Sequence, residues 1–224
     1  MEEGLAKMIV KRAKSYKIQA YENIKHLIIE RKLKQNVIYS EQMMADQFGI
    51  SRTPIREALT QLEAEGFTQT LPCKGFQIRK LTVSDVSEIF QMRIAIESYC
   101  ASALAKKSEN LNAQAYIQKA KIHLDRCKED FNRKDDIDFH EEIVKSSGNK
   151  LMISAFDEMR AKTDYVWSDI VISKNRDQEI INEHEAVFDA IASGDSEAAY
   201  RAVEDHLTKA FDKYVEALSK RDRE

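Results

Sequence analysis

Ser51-Arg52-Thr53-Pro54-Ile55-Arg56-Glu57-Ala58-Leu59-Thr60-Gln61-Leu62-Glu63-Ala64-Glu65-Gly66 reads as one short helix with two unlike faces. At about 100° per residue, Ile55, Leu59 and Leu62 fall on one stripe, while Arg52, Thr53, Arg56 and Thr60 gather on another. Ser51 is placed to cap the first turn. Pro54 costs little there, because first-turn N–H groups have no partner inside the helix, and Gly66 ends it. The apolar stripe belongs in a core. The other presents arginines, well suited to bidentate contact with guanine, beside short hydroxyls that reach phosphate or base edges. Alone, the pattern also fits an ordinary amphipathic helix with solvated arginines, so the flanks decide.

Upstream, residues 5 to 16 are Lys-rich and weakly patterned, which predicts a mobile arm. From Ile18 to Leu33 the positions Ala20, Ile24, Leu27, Ile28 and Leu33 recur at helical spacing. Val37-Ile38-Tyr39 is a short β-branched and aromatic run. Ser40 then caps a second helix, Glu41 to Phe48, which stops at Gly49. Helix, glycine turn, helix is the helix-turn-helix arrangement, whose second member enters the major groove. Beyond Gly66 the pattern turns extended: Phe67 to Leu71, a Pro72-Cys73-Lys74-Gly75 turn, then Phe76 to Arg79. A hairpin after a recognition helix is a wing, with Lys74 at its tip within reach of a neighbouring minor groove or phosphate. A plain hairpin with a solvated Lys is the alternative.

The chain has 224 residues, enough for two domains. With 43% hydrophobic and 33% charged residues, 6 Gly and 2 Pro, it reads as ordered and mostly helical. No apolar run approaches the roughly 18 residues of a membrane span, and the N-terminus lacks the apolar block of a secretory signal, so a cytoplasmic location is expected. Cys73, Cys100 and Cys127 are widely spaced, which argues against disulfides and a thiolate zinc site. The net charge of -3 hides an asymmetry: residues 1 to 80 carry 14 Lys/Arg against 9 Asp/Glu, and the remainder is acidic. A basic front suits a polyanionic partner for that part alone.

From Thr82 onward no strand signal remains, and six helices are expected at about 82 to 106, 111 to 129, 134 to 147, 149 to 170, 176 to 193 and 195 to 219. Three histidines sit within apolar stripes there. His140 follows Asp136 by four residues and lies beside Phe139, Ile143 and Val144; His184 precedes Val187, Phe188 and Ile191; His206 lies between Val203, Leu207 and Ala210. Each therefore points inward. Burying three imidazoles without a shared partner is costly, and a divalent metal supplies that partner. Asp138 is a rival carboxylate but faces away from His140. On the first of these helices Ile89, Met92 and Ile96 mark the buried side, with Arg93 and Glu97 at its margin as an i, i+4 pair. That pair is a surface salt bridge or the root of a clamp for an acid. His26 and His123 read as surface or structural.

The run Gly49-Ile50-Ser51-Arg52-Thr53-Pro54-Ile55-Arg56-Glu57-Ala58-Leu59, with Leu62-Glu63-Ala64-Glu65-Gly66 and Lys74-Gly75-Phe76, resembles the winged helix of GntR-family bacterial transcription regulators. The resemblance implies DNA contacts by Arg52, Thr53 and Arg56, assisted by Ser51 and by the wing tip at Lys74 and Gly75. Gln42 departs from the family, where a basic residue is common. Asp136-Ile137-Asp138-Phe139-His140, Ser147-Gly148-Asn149, Glu183-His184-Glu185-Ala186-Val187-Phe188 and His206-Leu207 are similar to the metal-binding effector domain of the FadR-type branch, and six helices point to its VanR-like subgroup. In metal-containing members an Asp and three His hold Zn, Ni or Mn and leave positions open for a carboxylate. That implies a site of Asp136, His140, His184 and His206, with Arg93 as effector clamp.

The expectation is thus a mainly α protein. Residues 1–80 form a winged helix-turn-helix with a two-stranded wing, and residues 81–224 an all-helical domain that binds ligand and dimerises. The function expected is that of a repressor of roughly palindromic double-stranded operator DNA, responsive to a small organic acid at a divalent metal, with no membrane partner. The rival is a metal-dependent hydrolase or lyase. It lacks a His-Glu-x-x-His motif, and only Glu183 and Glu185 offer a base near His184.

Overall fold

The computed structural model describes residues 15–167 and 174–221. The expected arm at 5 to 16 therefore lies almost wholly outside the described residues, as do the last three residues of the helix expected at 149 to 170. Two compact units divide the chain, residues 1–80 and residues 81–224.

In the first unit the order is α1 (Tyr16–Ile29), β1 (Ile38–Tyr39), α2 (Glu41–Phe48), α3 (Arg52–Ala64), β2 (Thr68–Leu71) and β3 (Gly75–Ile78). α3 packs on α1 and α2. Ala20, Ile24 and Ile28 from α1, Met44 and Ala45 from α2, and Ile55, Ala58, Leu59 and Leu62 from α3 make the core, closed by Phe67 and Phe76. α1 stops before Leu33, because the N–H groups of Lys32 and Leu33 fold back onto the Leu27 carbonyl. Leu33 is still buried, so its periodicity marked the core and not the helix. At the other end of α3, Glu65 accepts from the Tyr21 hydroxyl and from Lys25 Nζ at 2.8 Å, tying the recognition helix to α1. Ser40 Oγ caps α2 through Met43 N, and Gly49 at φ 65 closes it in the left-handed region. Ser51 occupies the cap position of α3, but its side chain makes no cap hydrogen bond.

The wing has three strands where the sequence pattern gave two. β1 pairs antiparallel with β3, Tyr39 opposite Phe76, giving the order β1-β3-β2. Gly75 permits this closeness: a Cβ there would lie 2.1 Å from the Tyr39 carbonyl oxygen, and its φ is 125.

In the second unit, α4 (Val83–Ala105), α5 (Leu111–Glu129), α6 (Arg133–Lys145), α7 (Lys150–Trp167), α8 (Lys174–Ala192) and α9 (Ser196–Arg221) are its six helices among the described residues. A Thr82–Asp85 capping box starts α4, and side chains of Asn110 and Asn132 cap α5 and α6. α4 runs along α9 and also touches α6, α7 and α8, so its residues face several walls of the core. The reading of α4 needs one correction. Met92 is half exposed, whereas Arg93 and Glu97 are buried at 8% and 1%. The Arg93–Glu97 pair belongs to the interior and not to its margin.

Candidate metal centre and nucleic-acid interface

α6, α8 and α9 each bring one imidazole to a common point. α6 is anchored at its start by Asn132 Oδ1, which accepts from Asp135 N, and is buried along Phe139, Ile143 and Val144. That stripe turns Asp136 and His140 inward together, both 3% exposed. Ile180, Val187 and Ile191 do the same for His184 on α8, and Val203 and Leu207 for His206 on α9. Ligand atoms of the three imidazoles lie within 4.8 Å of one another. His140 Nε2 and His184 Nε2 are 3.1 Å apart. Asp136 stands at the edge of the cluster, with Oδ1 3.6 Å from His184 Nε2 and Oδ2 held by Arg133.

Carboxylates fix two of these rings from behind. His206 Nδ1 donates to Glu183 Oε2 at 2.8 Å, which leaves Nε2 as the lone-pair nitrogen. His140 Nδ1 is 2.7 Å from Glu97 Oε2, an ion-pair distance although the two atoms are not aligned as a hydrogen bond. Glu97 also accepts from Arg93 Nε at 2.7 Å. Burial alone would raise its pKa, but the charges of Arg93 and His140 outweigh burial and hold it at about 2. Glu183 is likewise held at about 2 against burial, by His206 and by Arg176, which forks onto it at 2.8 and 3.0 Å. Burial first, and then the neighbouring His206 and His140, push His184 well below the ordinary imidazole value. Burial lowers His206 too, opposed by Glu183.

Beside the cluster is a cavity of about 30 Å³, room for an ion with a water or two. Asp136, His140 and His206 line it together with Arg93, Arg133 and Arg176. Sequence reasoning missed the last two arginines and the roles of Glu97 and Glu183 behind the histidines. Arg176 and Glu183 stand seven apart on one helix, a spacing that could have suggested a shared face; nothing local marked Arg133. Neither base candidate is open. Glu183 is committed to His206 and Arg176, and Glu185 pairs with Lys128. Asp138 pairs with Lys134 outside the cluster. A second grouping of His123, Asp135 and Asp138 has its donors engaged: Asp135 takes His123, Asn132 and Arg126. Burial pushes the thiols of Cys100 and Cys127 up to about 11 and about 12, so neither offers a thiolate.

On the first unit, Ser51, Arg52, Thr53 and Arg56 are all exposed along one side of α3, and Lys74 is exposed at the wing turn. Gly75 is better accounted for by its approach to Tyr39 than by any side-chain role. Arg52 and Arg56 both reach Glu41 at the start of α2. Gln42, the departure from the family pattern, donates to Asp46 on its own helix at 2.7 Å.

Two family models cover most of the chain: the gntR family of bacterial regulatory proteins matches residues 17–78, and the FCD domain matches residues 88–209. The chain is 27% identical over 200 residues to the HTH-type transcriptional regulator YdhC of Bacillus subtilis, covering 86% of this chain and 88% of that protein. It is 26% identical to the HTH-type transcriptional repressor RspR of Escherichia coli, covering 84% of each. Among solved structures, a GntR regulator of Rhodococcus sp. RHA1 superposes with a TM-score of 0.73 at 18% identity, over 90% of this chain and 98% of that one. A metal-free FCD domain, that of TM0439, superposes with a TM-score of 0.53 at 21% identity, over 63% of this chain and 99% of that one. These relatives are transcription regulators and not enzymes. The chain belongs to the GntR family of bacterial regulatory proteins, in the branch that joins a helix-turn-helix to an FCD domain.

Proposed function

We propose that this regulator is a repressor whose affinity for operator DNA is set by a small carboxylate effector bound beside a divalent ion in the helical unit. Metal binding is a known property of FCD domains. The observation that carries the reading here is the convergence of three buried imidazoles, with His140 Nε2 and His184 Nε2 3.1 Å apart. Two of the rings have a carboxylate beside Nδ1, which turns Nε2 toward the cluster, and imidazole nitrogens crowded together in a dry core need a cation or a proton between them. His184 Nδ1 is buried without a hydrogen-bond partner, so the polar contacts of that ring, which stacks on Phe139, lie at the cluster. The donor set, three imidazoles and the Asp136 carboxylate, suits Zn, Ni or Mn.

When bound, such an ion supplies a positive charge with positions open to a carboxylate oxygen. Arg93, Arg133 and Arg176 also line the cavity, each paired with a carboxylate of the chain, and a guanidinium that turned from its partner would match an acid. Glu97 and Glu183 fix the ring orientations of His140 and His206. The present cavity is too small for a metabolite, so entry of the effector requires side chains at its wall to move. An effector that binds one arrangement of the protein better than another changes operator affinity by linkage.

For the first unit, Arg52, Thr53 and Arg56 read base edges in the major groove, and Ser51, Lys74 and Gly75 lie against the phosphate backbone. One short helix reads few base pairs, so the active species is a homodimer on a roughly palindromic site. No described helix is long and apolar enough to cross a membrane. The test is elemental analysis with native mass spectrometry of protein purified without chelator, then offered Zn, Ni and Mn in turn. One ion per chain, lost in His184→Ala and His206→Ala, is expected. A wild type that gains neither bound metal nor thermal stability leaves the cluster a polar patch, and the proposal falls.

A further inference from the structure

We propose that Glu41 is a positioning residue for DNA reading: its one carboxylate holds Arg52 and Arg56 in register before a duplex arrives. The proposal rests on the reading of α3 as the recognition helix. Arg52 Nη2 lies 3.2 Å from Glu41 Oε2. Arg56 is held twice, Nε to Oε1 at 3.1 Å and Nη2 to Oε2 at 2.8 Å. The two guanidinium groups thus share one oxygen although they leave α3 a full turn apart.

Three features separate this from a chance surface pairing. First, the carboxylate is the fixed partner: Glu41 is 19% exposed while the arginines are 54% and 63% exposed. Its backbone is set by the Ser40 cap at the first residue of α2, where the helix dipole favours a negative charge. Second, Glu41 meets Arg56 along the side edge of the guanidinium, Nε with Nη2. The terminal edge, Nη1 with Nη2, is left to address O6 and N7 of guanine end-on. Nη1 takes no partner among the described residues, so Glu41 need not be displaced when a base is read. Third, an exposed arginine surrenders much of its rotamer freedom on docking, and a contact that removes that freedom beforehand lowers the cost of binding. The raised pKa of Arg56 and the lowered one of Glu41 follow from the same contact.

Electrostatics and positioning predict opposite signs. A carboxylate on a DNA-facing surface repels phosphates, so removing it should strengthen binding to every duplex. If Glu41 aligns the arginines, removing it should weaken binding only to the sequence those arginines read. The experiment uses the full-length chain, with Glu41→Gln and Arg56→Ala, at one fixed salt concentration. Two duplexes serve as probes: one enriched by the wild type from a randomised pool, and one with the same bases shuffled. Arg56→Ala should bind the enriched duplex about tenfold or more weakly. Glu41→Gln should lose roughly three- to tenfold on the enriched duplex, hold or gain affinity on the shuffled one, and melt like wild type. In the free protein, the Arg56 Nε–H resonance should lose its protection from solvent exchange in Glu41→Gln. If Glu41→Gln keeps the ratio between the two duplexes, the positioning role is wrong. If it weakens both equally and melts lower, Glu41 is structural only and the role is wrong again. If Arg56→Ala keeps the ratio, the recognition-helix reading fails instead, and the two failures are told apart.

Discussion

Arg56 and Arg93 are both arginines paired to a glutamate, and the two pairs do opposite things. Arg56 is 63% exposed, and its contact with Glu41 through Nε and Nη2 leaves the outer edge of the guanidinium facing solvent. Arg93 is 9% exposed, and Glu97 beside it is nearly sealed and also faces His140. In the first unit water screens the pair, so the contact contributes little to stability. In the second, neither charge can lose its partner without standing bare in a low-dielectric core. The exposed arrangement suits a surface that must take on a second partner while keeping the first. The buried one suits a site whose ring orientations must not drift.

The largest expected effect tests the buried side. Glu97→Ala leaves Arg93 and His140 uncompensated, and should cost about 3 to 5 kcal/mol of stability. Urea unfolding followed by circular dichroism checks it, and a loss as small as that of an exposed pair would erase the distinction. Next comes DNA affinity: Arg52→Ala and Arg56→Ala should each weaken operator binding by about tenfold or more while leaving the melting midpoint alone. An unchanged operator affinity in both would remove α3 from its assigned role.

The third prediction concerns pH in the metal-free protein. His184 and His206 have folded values below the 6.5 of a free imidazole, burial being the leading cause. As pH falls through about 6.5 the unfolded chain takes up protons that the folded one refuses. Stability is therefore full above that value and declines below it, by at most about 1.4 kcal/mol per pH unit for each such group. Calorimetry should show a melting temperature that is level above neutrality and falls from pH 6.5 towards 5. A level melting curve across that range would mean the imidazoles are wetter than their burial implies. The smallest effect is the stability change in Glu41→Ala, which should leave the melting midpoint where it is.

The recognition helix was legible because its faces differ: Ile55, Leu59 and Leu62 are buried and Arg52, Thr53 and Arg56 exposed, as their spacing required. The three inward histidines were legible for the same reason, each set in an apolar stripe. What hid the rest was distance and ambiguity. Tyr39 meets Phe76 across 37 residues, and a two-residue strand has no period to detect. Arg93 and Glu97 stand four apart on a helix, which looks alike whether the pair faces water or a core. α4 carries apolar side chains on more than one face, Met92 outside and Ile89 and Ile96 inside, so its own pattern could not decide. Glu183 read as a base because sequence shows a carboxylate beside a histidine, but not that His206 and Arg176 already hold it.

The wing turn has an uneven tolerance for substitution. Gly75 is fixed by the Tyr39 carbonyl, which leaves no room for any side chain. Cys73 sits at φ 61, where only Gly, Asn or Asp would rest more easily. Lys74 between them is exposed and has no such backbone constraint. A lineage of such regulators can therefore exchange the side chain exposed at the tip of its wing by mutating a single codon, without rebuilding the hairpin on either side of it.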